Sequence, residues 1–232
     1  MKYAGNELEV FQNAVFWKRY VKSCCDKYIQ GDVLEVGAGL GSYTNLLDKR
    51  LVRSWLAVEP DIDLYTRLER NCLQTGAQDV NLVYGTIRDV PKDKQFDSIV
   101  YIDVLEHIED DQGELAKATE HLKNGGRLII LVPAHQRLYS GFDKTIGHYR
   151  RYNLKVLSSR IPKDLKIQEA KYLDSLGFLL AVINRLFRLT KTPSKSMVTA
   201  YDRVLARNSP FADSILGYRL GKSLFVCAEK RA

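Results

Sequence analysis

The sequence predicts an α/β fold in which helices cover both faces of a seven-stranded, mostly parallel sheet. Short apolar segments alternate with segments whose apolar residues repeat at helical spacing, and the turns between them are short. The segment 127–132 (RLIILV) is almost continuously apolar, as expected for a strand that is covered on both faces. Such alternation is typical of parallel strands that are joined by crossover helices.

The individual elements follow in chain order. Residues 7–29 carry apolar side chains at helical spacing and predict an N-terminal helix. Core strands are predicted at 32–37, 55–58, 81–84, 97–102 and 127–132. Helices are predicted between them at 43–49, 64–74 and 110–122, the last two ending at Gly76 and at the turn 124–126. The last two strands are predicted at 166–172 and 223–230, and the helical segment 174–222, which Pro193 interrupts, is interpreted as an insertion near the C-terminus.

Length and composition favour one globular domain. The chain has 232 residues, of which 45% are hydrophobic and 27% are charged, and this composition argues against a disordered, repeat or fibrous protein. The four cysteines show neither a CxxC pair nor a Cys/His ligand spacing, so we expect neither a disulfide framework nor a metal site. No secretory signal and no apolar run of membrane-spanning length is visible, and we therefore expect a cytoplasmic protein.

The net charge of +7 is unevenly distributed. Residues 1–141 contain 17 Lys and Arg against 21 Asp and Glu, a balance of −4, whereas residues 142–232 contain 18 against 7, a balance of +11. A basic C-terminal part indicates an acidic partner, such as a phosphorylated substrate, a membrane surface or a nucleic acid; the alternative is a solvated basic face.

Four segments at the predicted carboxyl ends of strands indicate a ligand site. Alternate glycines after the first strand (Glu35-Val36-Gly37-Ala38-Gly39-Leu40-Gly41) allow the backbone to approach a ligand, and the following helix would present free N–H groups. Glu59 ends the second strand, where a carboxylate can accept both hydroxyls of a ribose; a polar turn is the alternative. Gly85-Thr86-Ile87 follows the third strand, and Asp103-Val104-Leu105-Glu106-His107 follows the fourth.

These segments resemble the class I methyltransferases of the methyltransferase 11/12 type. The matching segments are VLEVGAGLGSYT, AVEPD, FDSIVYIDVLEHIED and LKNGGRLIILVPA, within about residues 32–134. The resemblance implies a Rossmann-like fold, S-adenosyl-L-methionine as the cofactor and S-adenosyl-L-homocysteine as the product. By position, it implies that the cofactor is bound by Glu35, Gly37, Ala38, Gly39, Gly41, Thr44, Glu59, Pro60, Gly85, Thr86, Ile87, Asp103, Val104 and His107. Families of this type often carry an Asp soon after the third strand for the adenine amino group, whereas here the segment is YGTIRDVP, with Asp89 coming later.

The residues after the fifth predicted strand indicate the acceptor side. The segment DKTIGHYRRY is similar to one in methyltransferases of bacterial glycan, lipid and natural-product pathways, which implies that it faces the acceptor. His148 is the predicted general base or acceptor-orienting group, with Tyr149 behind it, because imidazole transfers protons near neutral pH. The predicted acceptor-binding residues are Tyr3, His135, Arg150 and Arg151, the arginines as partners of a phosphate or carboxylate. The alternative is that His148 caps a turn and the arginines bind acidic residues after the fourth strand.

The chain is thus predicted to be one methyltransferase domain with four parts. These are an N-terminal helix or lid (1–30), a cofactor-binding core (31–134), an acceptor-side segment with a helical insertion (135–222) and a last strand (223–230). Segment 174–195 combines an apolar face with Arg and Lys, which predicts peripheral membrane contact and a lipid-linked acceptor. A dimer contact and a helix buried under the insertion are the alternatives.

We therefore predict methyl transfer to a hydroxyl or amino group of a small-molecule, sugar or lipid-linked acceptor, including an anionic one. A nicotinamide-dependent oxidoreductase is disfavoured, because the glycine spacing is GxGxG rather than GxGxxG. The alternatives are an RNA methyltransferase and an inactive scaffold with the cofactor fold. We expect no stable complex with nucleic acid and no bound metal.

Overall fold

A seven-stranded sheet forms the centre of the molecule. The computed structural model describes residues 7–46, 50–75, 79–187 and 194–231. The strands are β1 (Gly31–Val36), β2 (Val52–Glu59), β3 (Val80–Tyr84), β4 (Phe96–Ile102), β5 (Leu122–Pro133), β6 (Leu165–Leu173) and β7 (Ser223–Lys230). Their order is β3-β2-β1-β4-β5-β7-β6. The first five strands are parallel, and β7 lies antiparallel between β5 and β6. The predicted fold class is confirmed.

Helices cover both faces of this sheet. They are α1 (Glu7–Phe11), α2 (Val15–Cys25), α3 (Ile62–Thr75), α4 (Asp111–Glu120), α5 (Gly141–Thr145), α6 (Leu154–Arg160), α7 (Ser175–Phe187), α8 (Lys195–Tyr201) and α9 (Ser209–Ile215), with a π-helical turn at Asp202–Ala206. Within the described residues, no helix is both long enough and apolar enough to span a membrane. Within the predicted helical segment 174–222, the described residues form α7, α8, the π-helical turn and α9. Pro193 and Gly76 lie outside the described residues.

The core is divided by the sheet into two apolar layers. Successive side chains of a strand point to opposite faces, so Leu34 and Ile99 belong to one layer while Val33 and Val100 belong to the other. All four side chains are fully buried. The continuous apolar runs of the central strands follow from this two-sided burial.

Two predicted helices differ from the structure. The predicted N-terminal helix is divided into α1 and α2, because the backbone N–H groups of Phe16 and Trp17 donate to the carboxylate of Asp202 and a new helix begins there. The predicted helix 43–49 is wrong over its described part: residues 43–46 form turns, while 47–49 lie outside the described residues.

The order of the strands positions the ligand site. From β1 the chain proceeds outward through β2 and β3 and then returns to place β4 on the other side of β1. The loops after β1 and β4 therefore diverge at the carboxyl edge of the sheet, and a crevice opens at this switch point.

Candidate active site

A large cleft occupies the carboxyl edge of the sheet, with a volume of about 1550 Å³. One half is bounded by the turn after β1 and by the ends of β2 and β3. The other half is bounded by the turn after β4, by α5 and the residues after it, and by α7. The two halves are continuous, so a ligand at the glycine-rich turn and a second molecule beside α5 would meet in one space.

The glycine-rich turn has a backbone that only glycine accommodates without strain. Gly37 and Gly41 have φ angles of 70° and 76°, in the left-handed region. A Cβ atom at Gly37 would lie 2.6 Å from a methyl carbon of Val104, and one at Gly41 would lie 2.7 Å from Leu68. The turn therefore packs closely against the residues after β4 and against α3, while Gly37 and Gly39 line the cleft.

Glu59 joins this turn to the end of β2. Its side chain is buried, and its carboxylate accepts hydrogen bonds from the backbone N–H of Gly39 (2.8 Å, Oε2) and of Asp61 (2.9 Å, Oε1). Each carboxylate oxygen can accept a second hydrogen bond, so the group retains capacity for two ligand hydroxyls. Burial raises the pKa of Glu59 above its ordinary value, and the two backbone donors oppose this shift.

Glu35 and Thr44 are joined by a buried hydrogen bond beside the same turn. The Thr44 hydroxyl donates to Glu35 Oε2 at 2.6 Å, and the Trp55 indole N–H donates to the same oxygen at 3.1 Å. Thr44 is fully buried and is not part of the cleft wall, whereas Glu35 is. The contact of Thr44 is thus with the protein, and its predicted contact with a cofactor has no support from the geometry.

The segment after β3, Gly85-Thr86-Ile87, lies at one end of the cleft. Gly85 and Thr86 line it, together with Pro60. Ile87 is fully buried and does not line the cleft. Asp89 caps the turn by accepting from the backbone N–H of Thr86 at 2.7 Å and from its hydroxyl at 3.0 Å, and these bonds lower the pKa of Asp89.

The turn after β4 carries acidic side chains and a histidine into the cleft. Asp103 has a left-handed φ of 54°, which is uncommon for a residue with a side chain, and its N–H donates to the Leu131 carbonyl at 2.9 Å. Asp103, Val104, Glu106 and His107 all line the cleft. The strained backbone turns Asp103 toward the cleft rather than along the strand.

Glu106, His107 and His148 form a compact cluster on this wall. The His107 and His148 rings are 4.5 Å apart at 84°, and His148 Nε2 lies 3.8 Å from Glu106 Oε1. The Glu106 side chain is 1% exposed, and its Oε2 has no hydrogen-bond partner among the described residues. Burial and then the negative charge of Asp103 raise the pKa of Glu106, while burial and then His148 lower the pKa of His107 to about 4.

Asp143 orients His148. The His148 Nδ1–H donates to Asp143 Oδ1 at 3.1 Å, and the same oxygen accepts from Arg151 Nε at 2.7 Å. Ser140 donates its N–H and its hydroxyl to the other carboxylate oxygen. Burial alone would raise the pKa of Asp143, but the donors hold it below the ordinary value. Because Nδ1 is engaged by an ionised carboxylate, the free lone pair of His148 is on Nε2.

Comparisons with known proteins agree on one family. Residues 34–130 match a family model described as a methyltransferase domain. A demethylmenaquinone methyltransferase of Tropheryma whipplei is 27% identical over 164 residues, or 70% of this chain and 64% of that protein. An uncharacterised methyltransferase of Staphylococcus carnosus is 31% identical over 63% of this chain and 66% of its own length. An S-adenosylmethionine-dependent methyltransferase from Clostridium acetobutylicum has the same fold, with a TM-score of 0.60 at 12% identity, covering 94% of this chain and 92% of that one.

Residues 34–130 form a class I S-adenosylmethionine-dependent methyltransferase domain. The chain spans 64% of the length of the Tropheryma whipplei relative and 66% of that of the Staphylococcus carnosus relative. The structural likeness shows the fold, which is that of this methyltransferase class. The predicted resemblance is confirmed.

The cleft of the methyltransferase domain fits this cofactor. A Cβ atom at Gly37 would collide with Val104, and Gly37 and Gly39 both line the cleft, so the backbone itself borders the space for the methionine portion. The carboxylate of Glu59, with its spare acceptor capacity, would hold the ribose. Gly85, Thr86 and Pro60 would border the base. The chemistry that the cofactor brings is an electrophilic methyl group on a sulfonium.

The predicted site residues fall into three groups. Those that line the cleft are Glu35, Gly37, Ala38, Gly39, Glu59, Pro60, Gly85, Thr86, Asp103, Val104, His107, His148, Tyr149 and Arg151. Those that do not line it are Gly41, Thr44, Ile87, His135 and Arg150. Tyr3 lies outside the described residues.

His135 and Arg150 have contacts elsewhere. The His135 ring stacks on Tyr172 (5.1 Å between centroids, 12°), and its Nε2–H donates to the Gly221 carbonyl at 3.0 Å. Arg150 binds Asp111 Oδ2 at 2.8 Å and donates to the carbonyl of Glu109 at 2.7 Å. Arg150 thus ties the acceptor-side segment to the residues after β4, as the alternative interpretation of the sequence states. The predicted acceptor contacts of His135 and Arg150 have no support from the geometry.

Glu106 and two lysines line the cleft although they were not predicted as site residues. Glu106 stands within DVLEHIED, but only the fold brings it to His148, 42 positions later. Lys18 and Lys222 line the cleft from α2 and from the residue before β7. A signal for Glu106 was present, since a carboxylate and a histidine stand side by side just after a buried strand.

Proposed function

We propose that the protein transfers the methyl group of S-adenosyl-L-methionine to a hydroxyl or amino group of a small-molecule, sugar or lipid-linked acceptor. The observation that carries the proposal is the continuity of the cleft, which joins the glycine-rich turn and Glu59 to the oriented imidazole of His148. In an inactive scaffold, the cofactor side and the acceptor side of the cleft would not need to open into one continuous space.

The chain's own residues would position the acceptor and receive its proton. Methyl transfer requires the nucleophile in line with the methyl carbon, so the walls of the cleft have to fix its direction. As the acceptor oxygen or nitrogen bonds to the methyl carbon, its proton would pass to His148 Nε2, whose imidazole Asp143 and Arg151 hold in place. Tyr149, half exposed beside it, would border the acceptor.

An aromatic and apolar wall supports an acceptor with an apolar portion. Phe11 and Trp17 line the cleft from the N-terminal side, Phe142 and Ile146 from α5, and Leu180 from α7. Trp17 also packs in the core beside Tyr20, so it serves both the lid and the core. Lys222 and Arg185 reach the same cleft and would suit an anionic group on the acceptor.

The surface of α7 and α9 supports a lipid-linked acceptor at an anionic membrane surface. Leu186 of α7 and Phe211 of α9 are 72% and 74% exposed, and Leu180 is shared between this surface and the cleft. Residues 142–232 carry a net charge of +11, which is complementary to anionic lipid. Co-sedimentation with vesicles containing anionic lipid, but not with purely zwitterionic vesicles, is the expected result; equal and negligible binding to both would remove the membrane contact.

We place the reaction in the cytoplasm and expect no stable nucleic-acid complex. The four cysteines are free and buried, which agrees with a reducing compartment. The apolar side chains of Phe142, Ile146 and Leu180 in the acceptor half favour a small or lipid-linked molecule over a polyanionic nucleic acid.

The test is transfer of labelled methyl from S-adenosyl-L-methionine to a panel of acceptors. The panel should contain hydroxyl- and amino-bearing small molecules, sugars, lipid-linked sugars, demethylmenaquinone and RNA. We expect product with a member of the first groups and a fall of at least 100-fold in kcat for His148→Ala, while His135→Gln, a histidine outside the cleft, stays near wild type. Methylation of RNA alone would favour the alternative function, and absence of cofactor binding would refute the proposal.

A further inference from the structure

Glu106, His107 and His148 have the composition and spacing of a divalent-metal site. Each offers one ligand atom, and these atoms lie within 4.8 Å of one another. A cation with bonds of about 2.1 Å places neighbouring ligands about 3 Å apart and opposite ligands about 4.2 Å apart. His148 Nε2 and Glu106 Oε1 are 3.8 Å apart, and no pair of the three ligand atoms is more than 4.8 Å apart. Binding of an ion would therefore require the side chains to move closer together, by about 1 to 2 Å relative to neighbouring ligands.

The carboxylate of Glu106 is the decisive member. It is 1% exposed, its Oε2 has no hydrogen-bond partner among the described residues, and it stands beside two imidazoles. Leaving a buried carboxylate oxygen unsatisfied is costly, and a bound cation would remove this cost.

The two histidines of the cluster make the kind of hydrogen bonds that metal-binding histidines usually make. Metal-bound imidazoles usually donate their second N–H to a carboxylate or a backbone carbonyl. His148 donates Nδ1–H to Asp143, which Arg151 and Ser140 hold, and His107 has a hydrogen bond with the backbone of Gly147. Each imidazole is therefore fixed with one nitrogen engaged in the protein.

We propose that Glu106, His107 and His148 bind one divalent first-row transition ion at the acceptor end of the cleft, with an open position for an oxygen of the acceptor. Two imidazoles and one carboxylate suit Zn²⁺, Mn²⁺ or Fe²⁺ better than Mg²⁺ or Ca²⁺, which prefer oxygen ligands alone. All three residues line the cleft, so the open side faces the space that the acceptor would fill. With the ion bound, the Nε2 lone pair of His148 would be used as a ligand, so an acceptor oxygen on the ion would lose its proton to water; direct proton transfer to Nε2 belongs to the form without the ion.

This role in catalysis rests on the proposed function, but ion binding can be tested without it. The full chain, free of any affinity tag, is dialysed against chelator and titrated with Zn²⁺ by calorimetry and with Mn²⁺ by electron paramagnetic resonance. We expect one ion per chain, with binding at least 100-fold weaker in Glu106→Gln and in His148→Ala. Asp143→Asn, which removes the charged partner of His148 and of Arg151 but no proposed ligand, should weaken binding 10- to 100-fold.

Two controls keep the outcomes separate. Glu109→Gln changes an exposed carboxylate outside the cluster and should bind the ion as wild type does. Titration of S-adenosyl-L-homocysteine into every variant reports on the cofactor half of the cleft. Intact binding of this ligand with no ion bound, or with ion binding that Glu106→Gln leaves unchanged, overturns the metal site alone; loss of the ligand in the wild-type protein overturns the proposed function instead.

Discussion

Replacement of Glu59 by Gln should weaken cofactor binding strongly while leaving the fold in place. The substitution keeps the shape of the side chain but removes its charge and turns one acceptor into an NH₂ group. In the structure, one carboxylate oxygen accepts from the Gly39 N–H and the other from the Asp61 N–H. A Gln side chain therefore places its NH₂ group against one of these backbone donors and can no longer accept from both ribose hydroxyls.

The size of the effect follows from hydrogen bonds to a charged, buried group. Such bonds contribute about 1.5–3 kcal/mol each, and an unsatisfied buried donor costs about 1–3 kcal/mol. We expect the affinity for S-adenosyl-L-homocysteine to fall by about 2–4 kcal/mol, or roughly 30- to 700-fold. The free energy of unfolding of the ligand-free protein should fall by about 1–3 kcal/mol, because the turn loses part of its anchor.

Calorimetry at several pH values gives a second readout. Burial raises the pKa of Glu59, and the neutral acid accepts fewer hydrogen bonds, so wild-type affinity should decrease as the pH falls through the raised pKa. The Gln variant should lack this component of the pH dependence. Asp63→Asn, an exposed acidic position on α3, is the matched control for charge. Binding by the Gln variant within threefold of wild type would refute the assignment of Glu59 to the ribose.

Three further substitutions test how the fold supports the site. Asp202→Ala removes the acceptor for two N–H groups of α2 and should lower the free energy of unfolding by about 1–2 kcal/mol, measured by urea denaturation; an unchanged midpoint would contradict this cap. Thr44→Val leaves Glu35 without its hydroxyl donor and should destabilise by about 1–3 kcal/mol but reduce cofactor affinity far less than Glu59→Gln does. Asp32 has its pKa lowered by Arg53 and then by Lys123, so it contributes stability above its unfolded pKa that is lost as the pH falls. Because the Arg53 side chain of this ion pair is largely solvent-exposed, Asp32→Asn should destabilise by at most about 1 kcal/mol at pH 7 and by progressively less toward pH 3; a constant difference across that range would count against the ion pair.

The cofactor half of the site could be predicted because it depends on local sequence. Gly37 and Gly41 follow a short apolar strand, and Glu59 ends the next one, so the strand register alone places them at one edge of the sheet. The exceptions are residues whose direction depends on packing. Thr44 and Ile87 are next to cleft residues in the chain, but their side chains are turned into the protein and fully buried.

The acceptor half could be predicted only as a segment. The motif around His148 was identified, yet the sequence could not show that Arg150 reaches back to Asp111 while Arg151 binds Asp143. Adjacent arginines in an irregular segment point in directions that are set by their partners. Those partners lie on other elements.

The sequence by itself determined the fold class, the order of the strands along the chain and the glycine-rich ligand turn. These features follow from the periodicity of apolar residues and from backbone conformations that only glycine adopts without strain. Both depend on residues that are close together in the sequence. Only the tertiary structure decided the division of the N-terminal helix, which depends on a carboxylate about 185 positions away, and the meeting of Glu106 with His148. Such contacts join side chains from distant segments, and their geometry exists only after the sheet has brought those segments together.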